Sequence, residues 1–507
     1  MLEAIRNSDE SFADSDGRVT ELRVSHGVAT GDVTATTAVI WARATHPATM
    51  RVEYRIDGAA TLSQAAPVGA TAATDHTAVA RLAGLTPGSL YRYRVWFDRP
   101  PGSGGDQSVS VEGAFRTAPD AQTYAPVSFV FSGDLGGAGY CRPIAGGYAI
   151  FDVMRTLTPH FFVAQGDMIY ADNECPSYGP DGTRNVPGGF PSVADGEVDW
   201  TNSARVRDAY LRHWRYNRAD PAYQRFLASV PLISQWDDHE ILNDSGHSWP
   251  TPGGAHMFRD GYQNLVAAGR DAFFSYAAID RSPEDAYRVY RSFNWGRAMD
   301  LFVLDARSYR SRNDEADTPE NRKTMLGPAQ LEWLQRGLSD SKATWKVVAA
   351  EIPLSIPTGG IGAVALGRDG WARGEDSGPA SQTGFRRELL ELVRYLDDHT
   401  IRNVVFITGD VHQPVSLRYG TDPNGDGRPL VFHELIAGPL SASPGPRVDP
   451  NPDRILGPTV LYKETGFFNF GYVWVEAASD GKIHLLADVR GPDGAIRPGS
   501  SLDLAPE

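Results

Sequence analysis

The sequence predicts an α/β domain of buried sheets with helices outside, preceded by a smaller all-β sandwich. From residue 127 onward, short apolar runs alternate with stretches of helical spacing. Between Glu21 and Thr117 the apolar residues instead recur at every second position, in short segments parted by Gly/Pro turns. The length of 507 residues holds about three domains, or one small and one large, at roughly 150 residues each.

In the first region, Thr37 to Thr45 is β-branched and carries Trp41, a typical sandwich-core residue. Met50 to Ile56 and Tyr91 to Val95 each place apolar side chains on one face, and the turn Leu85-Thr-Pro-Gly-Ser89 precedes the second. A sandwich of about seven strands is expected over residues 21–117. Its Gly84 to Tyr93 stretch is similar to the fibronectin type III pattern, and nothing in it gathers ligands or nucleophiles. Residues 118–126 are a polar linker rich in Ala and Pro. The α/β domain is expected over residues 127–500. Its strands are expected at Val127 to Ser132, His160 to Gln165, Val230 to Trp236, Met299 to Leu304, Trp345 to Ala350 and Val404 to Thr408. Helices are expected at Gly147 to Leu157, Gly327 to Leu338 and Phe385 to Leu396, and β-structure at Tyr472 to Ala477 and Ile483 to Val489.

Composition narrows the class. Acids outnumber bases 63 to 48, a net charge of −15, which excludes a general nucleic-acid binder. With 41% hydrophobic and 22% charged residues, disorder and coiled coil are poor fits. No run of about 18 apolar residues occurs, so no transmembrane helix is expected. Cys141 and Cys175 are the sole cysteines, too few for a disulfide scaffold or a Cys-based zinc module. Residues 1–20 are polar and lack the apolar stretch of a secretory signal, and read as a flexible tail or the start of a processed chain. The 52 Gly and 35 Pro concentrate in long loops, Asn173 to Asp199 and Gly359 to Thr383, and loops of that length are functional or mobile.

Four strands end alike, in an apolar run followed by carboxylate or imidazole. They are Phe131-Ser-Gly-Asp134-Leu-Gly-Gly137, Ala164-Gln-Gly-Asp167-Met-Ile-Tyr170, Gln235-Trp-Asp237-Asp238-His239-Glu240 with Asn243 just after, and Ile407-Thr-Gly-Asp410-Val-His412. A lone Gly-Asp pair is uninformative, because Asp is a common turn former and helix cap. Four such ends would converge outside the carboxyl ends of the strands, where ligands bind in open α/β sheets. So many like charges stay ionised together only if a cation compensates them. A metal site follows, and oxygen-rich ligands with one or two His suit hard or borderline ions.

In combination these motifs resemble the calcineurin-like metallophosphoesterases. Trp236-Asp-Asp-His-Glu240, Leu304-Asp-Ala-Arg-Ser-Tyr309 and the N-terminal sandwich are similar to the PhoD-like alkaline phosphatase and phosphodiesterase family, from about residue 22 to 490. The resemblance implies a four-layer αββα sandwich and a dinuclear centre with a metal-bound hydroxide as nucleophile. It places Asp134, Asp167, Tyr170 and His412 on a first metal, ferric iron where a Tyr is ligand. Asp167 would bridge to a second metal held also by Asp238, Asp410 and Asn243, and an all-oxygen site fits Ca²⁺, with Zn²⁺ or Mn²⁺ as alternatives. His239 is implied as proton donor to the leaving oxygen, with a role in orienting Asp238 or Asp410 as the alternative.

Arg307 and Tyr309 are substrate-binding candidates, since the guanidinium fork matches phosphate; an ion pair of Arg307 to Asp305 or Asp314 is the alternative. Many family members end the first strand in Ser-Cys and use that Cys on iron, whereas this strand ends Ser132-Gly-Asp134. Glu351 is either a ligand or a hydrogen-bonding neighbour. Cys141 and Cys175 each follow a metal loop and would pin the two loops if bonded, or stay as buried thiols. His213, His247 and His433 lack a motif and read as structural or exposed. No G-x-S-x-G nucleophile elbow competes.

The expected partner is a small phosphate ester acted on by a monomer outside the cytoplasm, periplasmic or secreted. Monoester, diester and phospholipid head group, the last as a phospholipase D-like phosphodiesterase, all remain open. A non-catalytic surface-binding protein that keeps the fold is the rival from another class.

Overall fold

Apolar side chains of both parities in the Val127–Ser132 run need cover on both faces, and the structure supplies it. The computed structural model describes residues 21–99, 107–194, 196–245, 260–359, 367–375, 379–445 and 456–507. The expected tail at 1–20, His247 and part of the Gly359 to Thr383 loop lie outside them.

Two sheets stack face to face. The nine-stranded sheet runs Leu502–Leu504, Ile483–Arg490, Phe470–Ala477, Val127–Ser132, Phe161–Gln165, Leu232–Gln235, Val24–Gly31, Thr37–Ala44, Thr77–Ala83. The seven-stranded sheet runs Arg291–Trp295, Met299–Val303, Trp345–Ala349, Val404–Thr408, Leu430–Ile436, Val415–Thr421, Thr459–Lys463. Between them lie Phe129, Phe131, Phe161, Val163 and Ile233 from the first sheet and Leu301, Val347, Val405 and Ile407 from the second. The alternate residues Val130, Phe162 and Leu232 face helices α1 (Ile150–Thr156), α2 (Ser203–Arg218), α3 (Pro221–Leu227) and α4 (Tyr262–Tyr276). Phe302, Val348 and Phe406 face α5 (Gly327–Asp340) and α6 (Arg386–Asp398). The order is helix, sheet, sheet, helix, as the αββα expectation has it. Each large apolar side chain buried this way contributes about 1.5–3 kcal/mol.

Helices α2, α3 and α4 were not anticipated in the sequence. The first two are capped locally: the Asn202 side chain accepts from Arg205 N–H at 3.2 Å, and Asp220 accepts from Tyr223 N–H at 2.9 Å with Pro221 behind it. The buried side of α2 includes His213, Asn217 and Arg218, so polar residues interrupt its apolar period.

The N-terminal sandwich closes over a core of Ile40, Met50, Val52, Tyr91, Val95, Phe97 and Phe115. One of its layers belongs to the nine-stranded sheet, because Gly31 pairs in parallel register with Leu232. The other is a separate sheet of Ala48–Ile56, Leu90–Asp98, Val111–Arg116 and two short strands. Residues 118–126 do not run free: Ala118 N–H donates to Thr34 O at 3.1 Å, and Arg297 N–H to Thr123 O at 2.9 Å.

Candidate metal centre

Val127–Ser132, Phe161–Gln165 and Leu232–Gln235 are mutually parallel, and so are Met299–Val303, Trp345–Ala349 and Val404–Thr408. Their carboxyl ends deliver Asp134, Asp167, Asp238, Glu351 and Asp410. The chain reverses so sharply there that Asp134, Asp167, Asp410 and His412 stand at φ of 63°, 52°, 66° and 53°. Non-glycine residues adopt that region at a cost and concentrate at functional sites. The glycine before Asp167 is required by contact: a Cβ on Gly166 would lie 2.5 Å from the backbone nitrogen of Asp237.

Two groups of ligand-type atoms share one residue. Asp134, Asp167 and His412 form one, Asp167, Asp238 and His239 the other, and in each the atoms lie within 4.8 Å of one another. The Tyr170 hydroxyl is 2.9 Å from His412 Nε2 and 3.4 Å from Asp134 Oδ1. His412 Nδ1 donates to the Ser443 carbonyl at 2.7 Å, which leaves Nε2 as the atom facing the group. Asp238, Asp244 and Asp369 form a third acidic group.

Electrostatics favour a cation. Burial and the charges of Asp238 and Asp237 push the Asp167 carboxyl well above its usual range, against the pull of His239. Burial and the charges of Asp237, Asp238 and Asp369 do the same to Asp410. Burial and neighbouring Asp167 and Asp134 keep the Tyr170 phenol protonated in the metal-free protein. Asp134 Oδ2 and Asp238 Oδ1 are buried and accept no hydrogen bond from the described residues. Orphaned carboxylate oxygens beside a phenol and an imidazole nitrogen fit one or more hard or borderline ions.

His239 is oriented by Asp172, whose Oδ1 lies 2.6 Å from Nδ1, while Nε2 points toward Asp167 Oδ2 at 3.9 Å. Burial opposes charge on this imidazole, but Asp172, Asp167 and Asp238 outweigh it and hold its pKa well above the ordinary value. The Tyr170 ring lies over it with centroids 4.0 Å apart. Asn243 gives its backbone N–H to Asp172 Oδ2 at 3.0 Å. Asp410 lies outside the three acidic groups. Glu351 is fully buried and accepts from Ala306 N–H at 3.3 Å, and burial, Asp305 and Asp237 raise its carboxyl.

The Arg307 fork does not face outward for a phosphate. It is 1% exposed and closed on Asp237 at 2.5 Å and on both oxygens of Asp369 at 2.7 and 2.8 Å. The alternative partners are taken up otherwise: Asp305 accepts Arg307's backbone N–H, and Asp314 pairs with Arg312. The buried carboxylates draw the guanidinium inward. Tyr309 is 37% exposed and meets Tyr290 edge-on at 5.7 Å. Cys141 and Cys175 are joined in a disulfide that ties the loop after Asp134 to the loop after Tyr170. His213 packs on Phe190, and burial lowers its pKa to about 4. Burial lowers that of His433 to about 4 as well.

Sequence reasoning missed Asp172, Asp237, Glu240 and Asp369. The first three lie inside the quoted motifs or two residues beyond them; Asp369 sits in a long loop with no local signal.

Comparison with known proteins bears on the family and the fold. Residues 129–481 match the family model of the PhoD-like phosphatase, and residues 11–119 that of its N-terminal domain. Alkaline phosphatase D of Bacillus subtilis (strain 168) is 26% identical over 424 residues, covering 76% of this chain and 64% of that relative. The chain thus spans less than two thirds of that relative's length. Among solved structures, PhoD superposes with a TM-score of 0.71 at 19% identity, over 95% of this chain and 89% of that one. A purple acid phosphatase from yellow lupin seeds does so with a TM-score of 0.58 at 14% identity, over 94% and 73%. Both likenesses are of fold.

Proposed function

The chain belongs to the PhoD-like phosphatase family, and on that premise we propose that it hydrolyses phosphate esters at a dinuclear or larger metal centre. The observation that carries this reading is buried Asp167, shared between two groups of ligand-type atoms. Asp134, Asp167, Tyr170 and His412 would hold a first ion, Fe³⁺ by the phenol. Asp167, Asp238, Asp410 and Asn243 would hold a second, Ca²⁺ by the all-oxygen set. Ions bound there would supply Lewis acidity to the phosphoryl oxygens and would acidify the attacking water.

The chain's own residues do the rest. Asp172 accepts the Nδ1 proton of His239 and favours its imidazolium, whose second proton, on Nε2, is turned to the ligand cluster and would pass to the leaving oxygen. His412 is locked with Nε2 inward by the Ser443 carbonyl. Arg307 braces Asp237 and Asp369 and so stiffens the wall that carries Asp238. The Cys141–Cys175 bond supports an oxidising compartment, periplasmic or secreted. Among the described residues no helix is long and apolar enough to cross a membrane.

The test is elemental analysis with absorption spectroscopy. Purified protein is expected to hold about two metals per chain and a visible tyrosinate-to-iron band that Tyr170→Phe abolishes. Full esterase activity in metal-free protein would end the proposal.

A further inference from the structure

One buried carboxylate touches both turns that carry the shared cluster, and it is not among the ligand-type atoms of either group. Glu240 is fully buried. Its Oε2 accepts the backbone N–H of Asp167 at 3.0 Å and that of Asp237 at 2.8 Å, and its Oε1 accepts the N–H of Met168 at 2.8 Å. Asp167 and Met168 leave the Phe161–Gln165 strand; Asp237 leaves the neighbouring Leu232–Gln235 strand and precedes Asp238. Three converging N–H groups and one carboxylate make a closed set that no water is needed to complete.

We infer that Glu240 is a positioning residue that fixes the separation of Asp167 from Asp238, and with it the capture of the second ion. The inference rests on the dinuclear reading above. The two turns are in direct contact at Gly166, so their spacing has little slack, and Asp167 is held at a positive φ that the chain would otherwise relax. The Glu240 carboxylate opposes that relaxation from the backbone side and leaves the Asp167 carboxylate free for an ion. Asp134 and His412 lie on other turns, Tyr170 follows Met168 by two residues, and none of the hydrogen bonds of these three described above goes to Glu240. Asp167 serves both ions, but the first keeps Asp134, Tyr170 and His412 while both turns of the second are loosened, so the loss of Glu240 should weaken the second ion far more than the first.

Glutamine cannot replace it. An amide has one acceptor oxygen, and its NH₂ would face an N–H that must donate. Aspartate keeps the charge but is a methylene too short to reach both turns. The experiment uses the full chain carrying Fe³⁺, titrated with Ca²⁺, and compares the wild type, Glu240→Gln and Glu240→Asp. Iron and calcium contents, the Tyr170 band and turnover are measured together. Both variants are expected to retain iron and the band, to bind Ca²⁺ about 10- to 100-fold more weakly, and to regain turnover in excess Ca²⁺. Wild-type Ca²⁺ affinity in the variants, joint loss of both ions, or turnover that excess Ca²⁺ does not restore would each overturn the inference. Should Glu240→Gln not fold, Glu240→Asp carries the test; if neither folds, Glu240 is a folding residue and the inference is wrong. A wild type that takes up no second ion sinks the dinuclear reading, and this inference with it. A wild type with two ions beside unaltered variants sinks this inference alone.

Discussion

At the seam between sandwich and α/β domain, Asp75 is met by Arg43 at 3.2 Å, by Arg215 at 2.7 Å and by the Tyr276 hydroxyl. At the strand ends, Asp167 is buried more deeply still and faces Asp134, Asp238 and two imidazoles. Burial raises the pKa of both. At Asp75 the two guanidinium groups and the hydroxyl overcome it and bring the value below the ordinary one; at Asp167 the neighbouring carboxylates add to it. The chain compensates the carboxylate fully where it joins two parts of the fold, and only in part at the cluster proposed to hold ions. A buried carboxylate is thus read by what its neighbours leave uncompensated.

The sharpest way to break this comparison is to exchange the two acids for amides. Asp167→Asn should empty both ion positions and bring hydrolysis down to background, while the metal-free protein melts at or above the wild-type temperature because one like charge is gone. Elemental analysis and a melting curve in chelator check both halves. His239→Ala should keep both ions and lower alkyl-phosphate hydrolysis by about 10²–10⁴-fold, with far less loss on nitrophenyl phosphate, whose leaving group needs no proton. Equal losses on the two esters would return His239 to an orienting role. Asp75→Asn should do the reverse of Asp167→Asn: turnover per folded molecule stays, and stability falls by about 3–5 kcal/mol in denaturant titration because two guanidinium groups lose their partner.

The smallest effect lies in the pH dependence. The folded carboxyls of Asp167 and Asp410 are raised, so without metal they keep protons that the unfolded chain releases near pH 4. Their contribution is full below about pH 4 and is lost as pH rises through the folded values, at about 1.4 kcal/mol per unit of separation. Asp75, with its lowered value, contributes above about pH 4 and loses that contribution as pH falls. Melting temperature in chelator should therefore decline between pH 4 and 8, and loading with metal should flatten that decline. Identical slopes with and without metal would sever the link between burial and ion binding.

Much of this was legible in the residues. Val127–Ser132 and Val404–Thr408 lie where the apolar runs predict, and the Gly-Asp endings foretold where chemistry would gather. What escaped was everything set by long-range contact. Arg307 has the right form to grip a phosphate, but Asp369, brought up from a distant loop, claims the fork first. Asp172 and Glu240 look like further members of acidic motifs, and only the folded chain shows one orienting an imidazole and the other gathering backbone N–H groups. Helix α2 hid because a buried His, Asn and Arg break its apolar stripe.

The pairing of Gly31 with Leu232 has a consequence for the order in which the chain is made. The Val24–Gly31 strand leaves the ribosome about two hundred residues before the strand whose margin it will cover. Its partner edge does not exist until the ligand-bearing strand has been made. The later half made alone would present the Leu232–Gln235 margin as a row of unpaired N–H and C=O groups, an invitation to sheet-to-sheet association. Residues 21–117 thus cover the edge of the sheet whose strands carry the ligand cluster.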